Sequence, residues 1–199
     1  MTTSVSSQVS RNARKFPGRI ALIDEQGQLT YGQLDDAAAK LGAHLARSGV
    51  GVGDKVALLA KSTSNWVIAY LAILKLRAVC VPLNARLTPD DIEGNISDAR
   101  CKMVVTTADM LSSHLENRIP LPYVLLDDSP GEHGLRHILA RELPGFVGPQ
   151  PLDDDLQLIM FTGGTTGRSK GVMLRNHQVF WNTVHEALDT GMNEFDNTI

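Results

Sequence analysis

KVALLAKSTSNWVIAYLAILKLRAVCVPL, residues 55–83, holds two short apolar runs on either side of a longer one. Lys55–Ala60 has the length and composition of a buried strand. In the next run Trp66 and Tyr70 fall at helical spacing among aliphatic residues, which predicts a helix from about Ser64 to Arg77. Their rings are expected to pack in the core rather than to stack on a substrate. Ala78–Leu83 is then a second strand, stopped by Pro82 and Asn84. Strand, helix and strand in succession predict an α/β architecture with a mostly parallel sheet flanked by helices.

The same alternation continues in both directions. Upstream, Ile20–Ile23 is β-prone and Asp24–Gln28, with Gly27 inside it, reads as a hairpin turn. Thr30 is placed to cap a helix in which Leu34, Ala37, Ala38, Leu41 and Leu45 share one face, ended by Gly49 and Gly51. Downstream, Thr88-Pro89-Asp90-Asp91 combines a cap, a first-turn proline and two acids at the positive end of the helix dipole. Strands are expected at Lys102–Thr106 and Pro122–Leu126. Asp127–Pro151 reads as a loop-rich surface excursion with one short helix. A strand at Leu156–Phe161 and a helix from Arg175 to about Thr190 complete the pattern.

Between those last two elements lies Phe161-Thr162-Gly163-Gly164-Thr165-Thr166-Gly167-Arg168-Ser169-Lys170-Gly171-Val172. Its glycines let the backbone approach an anion closely, so that successive N–H groups can converge on phosphate oxygens. The threonine hydroxyls add short donors and Lys170 adds a compact positive charge. Thr162, Gly163, Gly164, Thr165, Thr166, Gly167 and Lys170 are therefore the candidate nucleotide-binding residues. Two common phosphate patterns do not fit. In G-x-x-x-x-G-K-[ST] the lysine follows a glycine and precedes a hydroxyl, whereas Lys170 sits between Ser169 and Gly171. In G-x-G-x-x-G the first two glycines are separated, whereas Gly163 and Gly164 are adjacent.

This segment resembles the signature [YF]-T-S-G-[ST]-T-G-x-P-K-G-V of the acyl-adenylate-forming superfamily, which includes acyl- and aryl-CoA synthetases, luciferases and peptide-synthetase adenylation domains. Gly163 stands where the signature has Ser, and Ser169 where it has Pro. Leu29–Leu34, Gly49–Ala57 and Val81–Thr88 are similar to further segments of the family in its own order, the last to the P-L-N-x-R-L-T of its CoA-ligase branch. Arg77 departs from the glycine usual before Ala-Val, and its long side chain is expected to disturb local packing. The histidine usual after the loop is replaced by Asn176, with His177 next to it as a surface helix residue.

The resemblance implies the family reaction. A carboxylate and ATP give acyl-AMP and pyrophosphate, and a thiol, commonly that of CoA, then displaces AMP. It implies ATP, Mg²⁺ and CoA as cofactors and the α/β fold of the large N-terminal domain. The family's acyl pocket, Y-G-x-T-E and T-G-D segments and mobile C-terminal lid with its catalytic lysine do not occur in residues 1–199. The chain is thus expected to be an incomplete N-terminal AMP-binding domain, with no catalytic residue assigned in it and no turnover of its own. The alternative is a non-catalytic binding or assembly module derived from such an enzyme. The identity of the acid, fatty, aromatic or other, stays open, as does homodimer formation.

Other features carry little. A formal net charge of -3, from 19 Lys+Arg against 22 Asp+Glu, gives no basis for a nucleic-acid partner. The longest apolar run, Trp66–Leu74, falls short of the roughly 20 residues that span a bilayer. Met1–Ser10 lacks the apolar core of a secretory signal, so a cytoplasmic location is expected. Cys80 and Cys101 are expected to be buried free thiols. Asp153-Asp154-Asp155 cannot point one way from an extended chain and reads as a solvated linker. His133 and His137 lack a third metal ligand and read as surface-helix residues. Trp181 is expected to pack rather than to line an acyl pocket.

Overall fold

The computed structural model describes residues 3–129, 131, 133–141, 146–164 and 167–192. Its centre is a six-stranded sheet. β3 (Lys55–Leu59) pairs in parallel with β4 (Val79–Pro82) on one side and with β5 (Met103–Thr106) on the other. β6 (Tyr123–Leu125) adds in parallel to β5, and β7 (Leu156–Gly164) in parallel to β4. β8 (Gly167–Arg175) runs antiparallel to β7 and forms the far edge, giving the order β6-β5-β3-β4-β7-β8. A separate hairpin, β1 (Ile20–Asp24) with β2 (Gly27–Thr30), precedes the sheet and turns where the sequence predicts.

The strands of a sheet covered on both faces must be apolar wherever they are covered, and β3 is apolar at every position after Lys55. Val56, Ala57, Leu58 and Leu59 are all at 0% exposure. Val56 and Leu58 face one layer with Cys80, Met103 and Val105, while Ala57 and Leu59 face the other with Val79, Val81 and Val104. The first layer is closed by α2 (Tyr31–Arg47) and α3 (Ser64–Lys75), which supply Leu41, Leu45, Leu71 and Ile73. Trp66 stacks on Tyr70 at 5.5 Å against this core, as the spacing predicts. The second layer is closed by α4 (Pro89–Ala99) with Ile92 and Ile96. Leu115 joins it from a widened turn, Leu111–Leu115, that continues the short α5 (Ala108–Met110).

Local signals set the helix starts. Thr30 Oγ1 accepts from the Gln33 N–H at 3.2 Å and the Gln33 side chain accepts from the Thr30 N–H at 2.9 Å, a reciprocal capping box. Thr88 caps α4 through the Asp91 N–H, with Pro89 in the first helical position.

Two expectations need correction, and one helix has no counterpart in the sequence analysis. The polar N-terminus forms that helix, α1 (Val5–Lys15), whose Ser10 donates to Asp35 while Lys75 bridges both. Residues 127–151 are not wholly a surface excursion, because Leu135 and Ile138 of α6 (Leu135–Ala140) are buried in the first layer. His133 precedes α6 and tilts against Tyr123 at 5.2 Å, so it shares no helix with His137. Among the described residues no helix is long and apolar enough to cross a membrane.

Cys80 and Cys101 are free and buried. Burial raises both thiols, Cys101 to about 12 despite the opposing charge of Lys55, so neither forms thiolate readily. Both are expected to resist iodoacetamide at about pH 8 in the folded chain and to react fully after denaturation. Rapid labelling of the native protein would contradict this packing.

Candidate functional site

β7 does not stop at Phe161 but runs to Gly164, and β8 begins at Gly167, so the candidate loop is the tip of a β-hairpin. The sequence reading missed β8 because its Gly-, Ser- and Lys-containing start carries no strand periodicity. Its pairing is imposed by β7, through partners from Leu156↔Arg175 to Gly164↔Gly167. Cross-strand partners share a face. Thr162 pairs with Lys170, so these two candidates project from one side of the hairpin, and Thr162 Oγ1 donates to the Lys170 carbonyl at 3.4 Å.

Thr162, Gly163 and Lys170 are exposed. Among the described residues Lys170 has no carboxylate partner, which leaves its charge available to an anion. Gly164 and Gly167 are described as backbone only, and Thr165 and Thr166 lie outside the described residues. Four of the seven candidates are thus glycines or hydroxyl residues at or beside the tip with Lys170 opposite: Thr162, Gly163, Gly164 and Gly167. Chemically, the arrangement offers a mobile cation, a hydroxyl and side-chain-free backbone to a polyanion. Among the described residues no group of three or more His, Cys, Asp or Glu is placed to hold a metal.

The base of the hairpin is built from polar contacts that the sequence did not reveal. Asp155, immediately before β7, is not a solvated linker residue. It accepts a two-pronged bond from Arg77, Nε to Oδ2 at 2.8 Å and Nη2 to Oδ1 at 2.7 Å, and also the Leu152 N–H at 2.7 Å. Burial pushes the Asp155 carboxyl up, but the Arg77 and Leu152 hydrogen bonds and the Arg77 charge outweigh it and hold the group below its ordinary value. The pairing is therefore complete above pH of about 4 and fades as pH falls through the lowered value. Asn176, buried, donates its N–H to the Asp155 carbonyl and its side chain to Leu152, fixing the start of α7 (Asn176–Thr190) to the same strand. Gln157 is buried and donates to the Tyr70 hydroxyl. His177 is partly exposed, 3.4 Å from Asp154, as a surface helix residue. Trp181 is 56% exposed, contrary to the expectation that it packs, and meets only the edge of Phe180 among the ring contacts described.

A family profile described as AMP-binding enzyme matches residues 9–198. The chain belongs to the AMP-binding enzyme family. It is 35% identical over 171 residues to the 4-hydroxybenzoate–CoA/benzoate–CoA ligase of Rhodopseudomonas palustris, covering 83% of this chain and 32% of that enzyme. It is 29% identical over 197 residues to the 2-succinylbenzoate–CoA ligase of a Geobacillus species, covering 98% of this chain and 38% of that one. The solved structure of O-succinylbenzoate coenzyme A synthetase from Bacillus subtilis, in complex with AMP, superimposes with a TM-score of 0.79 at 25% identity, over 94% of this chain and 47% of that one. The chain spans about a third of the length of the curated relatives it matches. The mostly parallel α/β fold expected from the sequence is the fold of these enzymes.

Gly171 is required by packing. A Cβ there would lie 2.9 Å from Ile159 Cγ2 and 3.6 Å from the Phe161 ring. Ile159 is β-branched and buried, so it cannot swing away. Gly171→Ala is expected to cost about 1–3 kcal/mol in urea unfolding. Nothing lies within 4 Å of a Cβ on Gly163, so Gly163→Ser is expected to change stability by less than about 0.5 kcal/mol. Equal costs at the two positions would refute this reading of the hairpin.

Proposed function

We propose that this chain is the ATP phosphate-binding part of an AMP-forming acid–thiol ligase, an acyl- or aryl-CoA synthetase. The observation that carries the proposal is the glycine-rich hairpin tip with Thr162 and Lys170 on one face, in a chain of the AMP-binding family. Thr162, Gly163, Gly164, Thr165, Thr166, Gly167 and Lys170 hold the β- and γ-phosphates. In the reaction a carboxylate oxygen attacks the α-phosphorus, pyrophosphate leaves, and acyl-AMP forms. The CoA sulfur then attacks the acyl carbon, AMP leaves, and the thiol proton is released. Donors fixed on the departing pyrophosphate stabilise the charge that develops there. Mg²⁺ enters with the nucleotide, and no residue of this chain is assigned to it.

The relatives at 35% and 29% identity are named for benzoates and a succinylbenzoate, which supports an aromatic acid as the substrate class. The remaining catalytic groups belong to other parts of such enzymes, so the 199-residue chain alone is inactive and acts within a longer enzyme. A second reading, a non-catalytic module that works through its surface, is favoured by one observation. Met160, Val172, Met173, Trp181 and Leu188, on β7, β8 and α7, are apolar side chains left exposed.

Lys170→Ala is expected to weaken MgATP binding by the chain at least about tenfold, as measured by titration calorimetry, because a charged hydrogen bond to phosphate is lost. Unchanged affinity would remove the loop assignment. The wild-type chain is expected to show no carboxylate-dependent ATP–pyrophosphate exchange. Clear exchange would overturn the view that it is inactive alone.

A further inference from the structure

The candidate hairpin lies alongside β4 as closely as β3 does, but shares few registered ladder pairs with it. β3 meets β4 and β5 through four registered pairs each, whereas β4 meets β7 through one, Cys80↔Leu158. A strand joined by so short a ladder depends on side chains to fix its position. The contact at its base is the Arg77–Asp155 fork, with both side chains mostly covered at 20% and 17% exposure. Arg77 lies in the turn between α3 and β4. Its own N–H bonds to the Leu74 carbonyl, the Ala78 N–H to Ile73, and its carbonyl accepts from Gly53. These bonds hold it at φ 55, the left-handed region that favours glycine. An arginine stands where backbone geometry alone would select glycine, and its guanidinium donates from Nε and Nη2 to Asp155. The same aspartate caps Leu152 and, through its carbonyl, anchors Asn176 at the far end of the hairpin. Asp155 therefore links both roots of the β7–β8 hairpin, holding the first to the α3–β4 turn through its carboxylate and the second, at Asn176, through its main-chain carbonyl.

We propose that Arg77 is a positioning residue: through Asp155 it fixes the orientation of the β7–β8 hairpin on the sheet, and so the placement of Thr162 and Lys170 for nucleotide phosphates. The nucleotide part rests on the function proposed above. The geometry requires a planar, two-pronged donor, which lysine does not supply.

The test compares the full chain with its R77G, R77K and D155N variants. Arg77→Gly removes the fork but suits the left-handed φ, so the melting temperature stays within a few degrees of wild type. Hydrogen exchange at residues 158–175 is expected to accelerate about tenfold in R77G and D155N, with α2 and β3 unchanged. MgATP affinity is expected to fall about tenfold alongside. R77K should behave as R77G. Wild-type exchange in the hairpin of R77G and D155N, full rescue by R77K, or uniform loosening of every element would each overturn the proposal. If the wild-type chain does not bind MgATP, the phosphate-loop reading fails while the exchange data still decide the clasp. If it binds and R77G binds equally well, the clasp fails and the phosphate-loop reading stands.

Discussion

Everything in this fold follows from the requirement that β3 be covered on both faces. A parallel strand flanked by parallel neighbours exposes alternate side chains above and below, and both must find apolar partners. Val56, Cys80 and Met103 form a row across one face because β4 and β5 are paired to β3 in matching register. Ala57, Val81 and Val104 form the row beneath them. A shift of one residue in either partner would exchange the rows and send Thr106 and Pro82 to different layers, so the two cores lock the register. The helices then have little freedom, since α2 and α3 must lie on the first row and α4 on the second.

That constraint weakens towards the candidate site. At β7 the alternation still divides Leu158 from Ile159, which go to opposite layers. Beyond it the antiparallel β8 has no neighbour among the described residues on its outer side, and Met173 is 66% exposed. A functional tip gains from this position. Backbone packed into a core has its N–H groups committed to partners, whereas a hairpin end at a sheet margin can leave donors for a ligand. Gly171 shows where the two regimes meet: it is needed because Ile159 and Phe161 are held by the second core, only one pair from the exposed Lys170.

This gradient also explains how much was legible in the sequence. Lys55–Leu83 was read almost residue by residue, because burial on both faces makes the strands apolar and length separates them from the helix. The starts at Thr30 and Thr88 were legible because capping is local chemistry over three or four residues. α1 is not, since Val5 and Val9 are the hydrophobic residues it packs against the first core, and polar contacts such as the Ser10–Asp35–Lys75 network add to its attachment. β8 was not, because a strand held by its hairpin partner needs no periodic pattern of its own. For the site, the glycines, threonines and Lys170 were visible as chemistry, but their arrangement as a hairpin was not. Asp155 is not legible at all, because among three consecutive acids it looks like solvated linker while its partner lies 78 positions away.

In the sequence Arg77 is only an anomaly, and the structure reverses its meaning. The expectation was that a long side chain would disturb a turn built for glycine. The turn is unaffected: its helix-ending bonds to Leu74 and Ile73 form as they would with glycine, and the backbone stays at positive φ. What changes is the range of the residue's influence. Glycine at this position would serve only the local chain reversal between α3 and β4. Arginine serves that reversal and also reaches β7, where it meets a carboxylate whose pKa is lowered by the contact. A strained backbone position persists when surrounding contacts over-determine it. Here the backbone bonds of the turn hold the φ, and the side chain carried at that position meets the root of the hairpin that bears the phosphate-binding candidates, where β4 and β7 share a single registered pair.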